Sequence, residues 1–322
     1  MTNFDVSVVL TTYNQDLNDI LMSCASVMLQ RGVFCELIVA DDASNENKFQ
    51  DIESFLKRNF PGASVRFVSH SENVKTVKNL LDGISNAQGR YTKELGAGDL
   101  LYDYSTLSSL IACAKDNSSN AVFGKINCFM DSDRGYLTSC FNAPRNACFY
   151  SQDVPCVKQA MVSVINADWI PGSAQFYRTD LYEKLLFTLS NDYKVKYCED
   201  FAGVLSLIDR PFSFLNHPIL WYKMGDGIST NGSKASRKRM YLDHSNFYSG
   251  LRQSKLSNEP GFIKAGLGFK IRKFAALHTP MAAILQKMVA NSYQSESNES
   301  VQLTELFKES AEMVNHFVLK LK

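Results

Sequence analysis

Hydrophobic and polar positions change period repeatedly along the N-terminal third of the chain. A β-branched run over residues 6–12 is followed by Ile20, Cys24, Val27 and Met28 at i, i+4, i+7 and i+8, which places them on one helix face. Residues 36–40 form a second apolar run, residues 48–59 a helical pattern that Pro61 ends, and residues 64–69 a third strand. Val74, Val77, Leu81 and Ile84 mark another amphipathic helix that stops near Gly89. Residues 91–95 form a fourth strand that runs straight into Gly96-Ala97-Gly98-Asp99. This alternation predicts an α/β fold with a doubly wound, mixed but mostly parallel sheet.

Beyond residue 103 the pattern predicts a helix to about residue 115. Antiparallel strands follow within residues 121–141, with a hairpin tip at residues 131–135. Residues 161–178 contain the turn-rich loop 169–173. Phe201, Val204, Leu205 and Ile208 form a helix face, and residues 219–223 a last strand before the glycine-broken loop 224–232. Past residue 234 the composition shifts: residues 234–273 hold ten Lys or Arg against two acids, Asp243 and Glu259. The remainder reads as helical, with residues 291–300 a polar linker before a terminal helix. The chain thus divides into residues 1–232 and a basic, mainly helical C-terminal region, residues 233–322.

A length of 322 residues at 45% hydrophobic allows one large core, or a core with an appendage. The net charge of +1 argues against a nucleic-acid partner. Eight cysteines without a C-x-x-C pair fall mostly in apolar runs, as reduced core thiols of a cytoplasmic protein do. The first strand begins by Val6, which leaves no room for a signal peptide, and no uncharged run reaches the ~18–20 apolar residues of a membrane span. The five histidines lie in separate segments, so a zinc site is not expected, and no phosphate-cradling or strand-borne dinucleotide glycine motif occurs.

The chemistry gathers at predicted strand ends. In parallel α/β units the ligand crevice lies outside the carboxyl ends of the strands, where Thr11-Thr12-Tyr13-Asn14 and Asp41-Asp42 fall. A carboxylate there can accept hydrogen bonds from a base N–H or from ribose hydroxyls. Alone, such residues also make turns and helix caps. Far downstream, Glu199-Asp200 opens a helix, where acids are favoured on dipole grounds alone.

Taken together and in order, these motifs resemble the family 2 glycosyltransferases of the GT-A fold, over about residues 5–230. The resemblance implies that Thr11, Thr12, Tyr13, Asn14, Asp41, Asp42, Asn73, Asn79 and Gly98 contact the nucleotide. It also implies that Asp200 is the general base, with Glu199 supporting it. The stretch from Trp221 through Lys223 to Gly227 and Ser229 resembles a closing loop in which Lys223 neutralises the diphosphate. Trp169 and Gly172 fall where relatives shape the acceptor site. Gly96-Ala97-Gly98-Asp99 departs from the D-x-D-D run of most relatives. Asp99 is its surviving acid and the expected ligand of a divalent cation, Mn²⁺ or Mg²⁺.

The expected activity is inverting transfer of a sugar from a nucleotide donor, most simply a UDP-sugar. The acceptor is a hydroxyl of a saccharide or lipid-linked saccharide in capsule, lipopolysaccharide or other cell-surface polysaccharide synthesis. The basic C-terminal region, with Phe262, Leu267, Phe269, Ile271 and Phe274 interleaved, suits peripheral contact with the inner membrane surface. Two readings from other classes stand beside this one: a nucleotide-sugar-binding partner without catalysis, and a peripheral membrane scaffold. A nucleotidyltransferase would open with a glycine- and basic-rich loop, which Thr11-Thr12-Tyr13-Asn14-Gln15 is not.

Overall fold

Four strands, β1 (Phe4–Thr12), β2 (Cys35–Asp41), β3 (Val65–Ser69) and β4 (Gly89–Gly96), lie parallel in the order β3-β2-β1-β4. The computed structural model describes residues 4–133, 135–151, 153–225, 234–278 and 301–320. Helices α1 (Leu17–Met28), α2 (Phe49–Asn59) and α3 (Thr76–Ile84) connect these strands. Val6, Val8, Val9 and Leu10 of β1 and Leu37, Ile38, Val39 and Ala40 of β2 are wholly buried. Their near-continuous apolar runs reflect a sheet covered on both faces. The common direction brings Thr12, Asp41 and Gly96 to one sheet edge.

The sheet then changes character. In chain order come β5 (Leu100–Leu101), α4 (Thr106–Asp116), β6 (Ala121–Ser132), β7 (Gly135–Phe141), α5 (Cys156–Asn166), β8 (Gln175–Arg178), α6 (Thr179–Phe187), α7 (Phe201–Asp209) and β9 (Ser213–Lys223). The order continues β4-β8-β6-β9-β5, with β7 paired to β6; β8 is antiparallel to both neighbours, and β6 and β9 are parallel. The first half of the sheet is parallel and the second half mixed, in agreement with the expected mixed, mostly parallel sheet.

Several local elements differ from the sequence pattern. The expected loop 169–173 lies between α5 and the short strand β8, and neither of these elements nor α6 was read from the pattern. The last strand begins at Ser213, not near residue 219, because the register slips around Gly124 and Lys125 let β9 follow β6 farther.

The described residues after position 232 share the core of the wound domain. α8 (Lys234–Leu251) stacks Phe247 on Phe201 of α7, with ring centroids 4.1 Å apart. α9 (Phe262–His278) packs on α8 and α5. α10 (Glu305–Val318) returns to α1 and α2, where Phe317 meets Phe55 edge-on at 5.2 Å. At its N-cap the Thr304 hydroxyl accepts from Trp221 Nε1 at 3.1 Å and donates to the Tyr102 carbonyl at 2.7 Å. No described helix is long and apolar enough to cross a membrane. The expected linker at residues 291–300 lies outside the described residues.

Candidate active site

The parallel register sets Thr12 opposite Asp41 and Thr11 opposite Gly96. Thr12, Gln15, Asp41, Ser44, Lys48 and Phe49 line one crevice there. Asp41 is 4% exposed, and its carboxylate accepts the Ser44 N–H at 3.0 Å as well as the Ser44 hydroxyl. The Thr12 hydroxyl is buried with no hydrogen-bond partner among the described residues. A buried polar atom without a partner is costly, and a ligand atom entering the crevice would satisfy it.

Asn14 stands in the left-handed region (φ +53°); its N–H donates to Ser44 Oγ at 2.8 Å, and its Oδ1 accepts the Asn45 N–H at 2.8 Å. The loops after β1 and β2 are thereby tied together, with the Tyr13 ring 49% exposed beside them. Thr11 contributes its carbonyl to the Ala97 N–H at 3.0 Å.

Three of the expected nucleotide-contact residues make hydrogen bonds within the protein. The Asp42 carboxylate accepts the Val74 and Lys75 N–H groups at 2.6 and 3.0 Å, closing the loop before α3. Burial raises its pKa against those two bonds. Asn73 Oδ1 accepts from Lys75 Nζ at 2.6 Å. Asn79 is 2% exposed and donates Nδ2 to the Ala40 carbonyl at 3.0 Å, which fixes α3 to β2. Polar residues near a strand end brace the loops as well as the ligand, and sequence alone does not separate the two roles.

At the end of β4, Gly98 has φ +105°, a backbone conformation that favours glycine. A Cβ there would stand 3.2 Å from Lys223 Cδ. Asp99 accepts the Lys223 backbone N–H on Oδ1 at 2.9 Å. Burial pushes the Asp99 carboxyl up to about 7, with that bond opposing. Lys223 Nζ lies 2.7 Å from Asp19 Oδ1 and 2.8 Å from Asp131 Oδ2. Burial works to lower the Lys223 pKa, but hydrogen bonds to Asp131 and Asp19 outweigh it and raise it.

This donor set does not fit the divalent cation expected at Asp99. The Asp99 carboxylate is engaged by a backbone N–H, and the acids beside it, Asp19 and Asp131, are paired with an ammonium. Among the described residues no group of three His, Cys, Asp or Glu side chains is placed to hold a metal. His217 pairs with Asp103 at 3.0 Å, and His244 lies edge-on to Trp169 at 5.8 Å.

Glu199 and Asp200 stand immediately before α7. The Gly172 N–H donates to Asp200 Oδ1. A Cβ at position 172 would lie 2.8 Å from Glu199 Cγ and 3.2 Å from Asp200 Oδ1, so the close approach requires glycine. Gln175 Nε2 donates to the Ile170 carbonyl at 2.6 Å and the Asp200 carbonyl at 3.2 Å, joining the two loops. Burial raises the Asp200 pKa, with the Gly172 N–H opposing.

Glu199 is raised well above the usual carboxylate range by burial, and the charges of Glu94, Asp200 and Asp243 push the same way. Glu94 is raised by burial too, against the Tyr182 hydroxyl, which donates to it at 2.7 Å. Lys93, lowered to about 8 by burial, donates to the Glu94 and Ser173 carbonyls at 2.6 Å each. A carboxylate with a raised pKa, held in a fixed orientation, is suited to accept a proton near neutral pH.

The segment leading into this pair is held from the C-terminal region. Asp243 of α8 is 1% exposed, and its Oδ2 accepts the N–H groups of Lys196, Tyr197 and Cys198 at 3.0, 2.5 and 3.2 Å. Burial raises the Tyr197 pKa, and the charges of Asp42 and Tyr13 act on it as well, so this segment also adjoins the crevice at β1 and β2. Trp169 turns its ring edge-on to Phe201, 5.1 Å between centroids, and is partly packed into the α7–α8 junction. Gly227 and Ser229 lie outside the described residues.

Asp19, Glu94, Asp131 and Asp243 are the site residues that the sequence reading missed. Only Asp243 left a signal: it is one of two acids in an otherwise basic forty-residue stretch, residues 234–273. The other three sit on ordinary helix or strand positions, and only the fold brings them to the site.

The model of "Glycosyl transferase family 2" matches residues 7–186 of the chain. No curated protein matches the sequence significantly. Among solved structures, S. aureus TarS 1-349 in complex with UDP-GlcNAc is similar at 15% identity and a TM-score of 0.55, over 89% of this chain and 79% of that one. The longer S. aureus TarS structure aligns at 16% identity and a TM-score of 0.52, over 98% of this chain and 53% of its own. Mannosyltransferase PcManGT from Pyrobaculum calidifontis, in complex with GDP-Man and Mn²⁺, aligns at 16% identity and a TM-score of 0.52, over 98% of this chain and 85% of its own.

Proposed function

From the premise that this chain belongs to glycosyl transferase family 2 and is a GT-A glycosyltransferase, we propose that it moves a sugar from a UDP-linked donor to a saccharide hydroxyl with inversion. The base and ribose enter the crevice of Thr11, Thr12, Tyr13, Asn14 and Asp41. Asp41 accepts from a base N–H or a ribose hydroxyl, and the Thr12 hydroxyl gains the partner it lacks. The diphosphate lies along the Gly98 turn toward Lys223. The acceptor sits between Trp169, Gly172 and Asp200. Asp200 takes the acceptor proton as the acceptor oxygen bonds to the anomeric carbon. The bond from that carbon to the diphosphate breaks, and its electron pair leaves on the phosphate oxygen.

The observation that carries this reading is the fixed Asp200 carboxylate, gripped by the Gly172 N–H at a close approach that requires glycine. The test is calorimetric titration with UDP, GDP, CMP and dTDP, followed by sugar-release assays with the matching UDP-sugars. Selective UDP binding with UDP-sugar turnover is the expected result, and selective binding of another nucleotide would overturn the donor class.

The same reading extends to the acceptor. α9 exposes Ile263, Leu267 and Ile271, at 85%, 59% and 61%, spaced i, i+4 and i+8. Its sequence holds Lys264, Lys270, Arg272 and Lys273 with no acid. An apolar stripe on a basic helix suits an anionic membrane surface. We place α9 against the cytoplasmic face of the membrane, where a lipid-linked saccharide of a capsule or lipopolysaccharide unit would be presented. Co-sedimentation with anionic but not neutral vesicles is expected, and its loss in Leu267→Glu checks the face.

A further inference from the structure

We propose that Lys223 is the built-in cation of the diphosphate site, so that this chain binds its donor without a divalent metal. The proposal rests on the nucleotide-sugar reading above.

Three observations carry it. First, the lysine stem fills the place of a side chain at position 98: a Cβ on Gly98 would meet Lys223 Cδ at 3.2 Å and Asp19 Cβ at 3.8 Å. A side chain at position 98 would therefore crowd the Lys223 stem from a backbone conformation that favours glycine, and this chain has the glycine. Second, Asp99 is engaged in holding that lysine, with its Oδ1 on the Lys223 N–H at 2.9 Å. The turn thus orients an ammonium in place of gathering carboxylates. Third, the ammonium pairs with two described carboxylates of unequal exposure. The Lys223 side chain is 13% exposed, Asp19 16% and Asp131 60%.

The inequality tells how a diphosphate would enter. Asp19, in the first turn of α1, is the less exposed partner and remains in place. Asp131, at the end of β6, is the solvent-facing partner, and a phosphate oxygen can replace its carboxylate on Lys223 Nζ. Lysine is a common phosphate ligand that acts as a point charge. The exchange leaves one cation between one resident carboxylate and the incoming phosphate, with no metal ligand required. In the resting protein Asp131 keeps the ammonium ordered at the mouth of the site.

The experiment is calorimetric titration of UDP and of uridine into the full chain, in EDTA and in Mn²⁺, for wild type, Lys223→Met and Asp131→Asn. The expected wild-type UDP affinity changes less than about twofold between EDTA and Mn²⁺. Lys223→Met weakens UDP by about tenfold or more and leaves uridine unchanged, whereas Asp131→Asn tightens UDP several-fold, about two- to fivefold. The opposite signs separate direct charge interaction from general damage, and Asp131→Asn carries the test if Lys223→Met does not fold. A loss of about tenfold or more of wild-type UDP affinity in EDTA, or wild-type UDP affinity in Lys223→Met, overturns the proposal. Failure of wild type to bind both uridine and UDP refutes the nucleotide reading itself, and the inference falls with it.

Discussion

The N–H of Gly172 donates to the Asp200 carboxylate from the loop before β8, and Gln175, the first residue of β8, donates to the Asp200 carbonyl at 3.2 Å. Side chain and backbone of Asp200 are both held by the continuous segment Gly172–Gln175, so the carboxylate direction is set before any substrate arrives. Gly172→Ala would place a Cβ 2.8 Å from Glu199 Cγ and push the pair aside. A displacement of about 1 Å at a reacting group can cost about 100-fold in rate. Turnover of Gly172→Ala is therefore expected to fall by about that factor with UDP affinity retained, measured by product release and calorimetry in parallel.

Asp41 and Asp42 are adjacent and engaged differently, one facing the crevice and one closing the loop before α3. Asp41→Asn removes a charged acceptor, so UDP binding is expected to weaken by about 10- to 100-fold, the equivalent of about 1.5–3 kcal/mol. Asp42→Asn leaves the Val74 and Lys75 N–H groups with a poorer acceptor, and its main effect is expected in the melting temperature. Titration and thermal melts on both variants check this division; the reverse pattern would exchange the two roles.

Asp243 shows how far the site reaches beyond the matched segment. Asp243→Ala removes the acceptor of three N–H groups just before Glu199, and buried donors without partners cost about 1–3 kcal/mol. Lower stability and lower kcat are expected together, with UDP affinity close to wild type. Unchanged kcat would show that α8 braces the fold without positioning Asp200.

Much of this was legible in the sequence. The βαβ alternation set out the four parallel strands, and the strand ends pointed to Thr12 and Asp41, whereas Asp200, at a helix start, was reached only through the family resemblance. The glycine-rich turn was legible as a turn, but its partner was not. Lys223 lies 124 residues after Asp99, and no periodic pattern links the two. The bonds by which Asp42, Asn73 and Asn79 brace the loops were not legible, because residue type and position do not show which groups they meet in the fold. The mixed half of the sheet was harder to read because β8 and β5 are only four and two residues long, too short to establish an alternation.

The buried carboxyls make stability pH-dependent. Asp99, Glu94, Glu199 and Asp200 hold protons to higher pH in the fold than in the unfolded chain. Between the ordinary carboxylate value and the raised one the unfolded chain binds fewer protons, so stability is greatest at the acid end and falls as pH rises, for Asp99 through about 7. Lys93, lowered to about 8, acts above that window with the opposite slope: its penalty fades as pH rises toward the free-lysine value. The melting temperature is expected to fall from about pH 5 to about pH 7.5, and less steeply in Asp99→Asn, which keeps an acceptor but cannot ionise. A wild-type melting temperature that rises across that range contradicts the assignment.

If Asp200 is the base of the sugar transfer, Asp200→Asn removes the group that takes the proton. The amide keeps an oxygen for the Gly172 N–H but cannot take the acceptor proton. Turnover of the UDP-sugar is expected to fall by about 10²–10⁴ while UDP affinity stays within about twofold of wild type. Wild-type turnover in Asp200→Asn, with the fold intact by circular dichroism, would contradict the account.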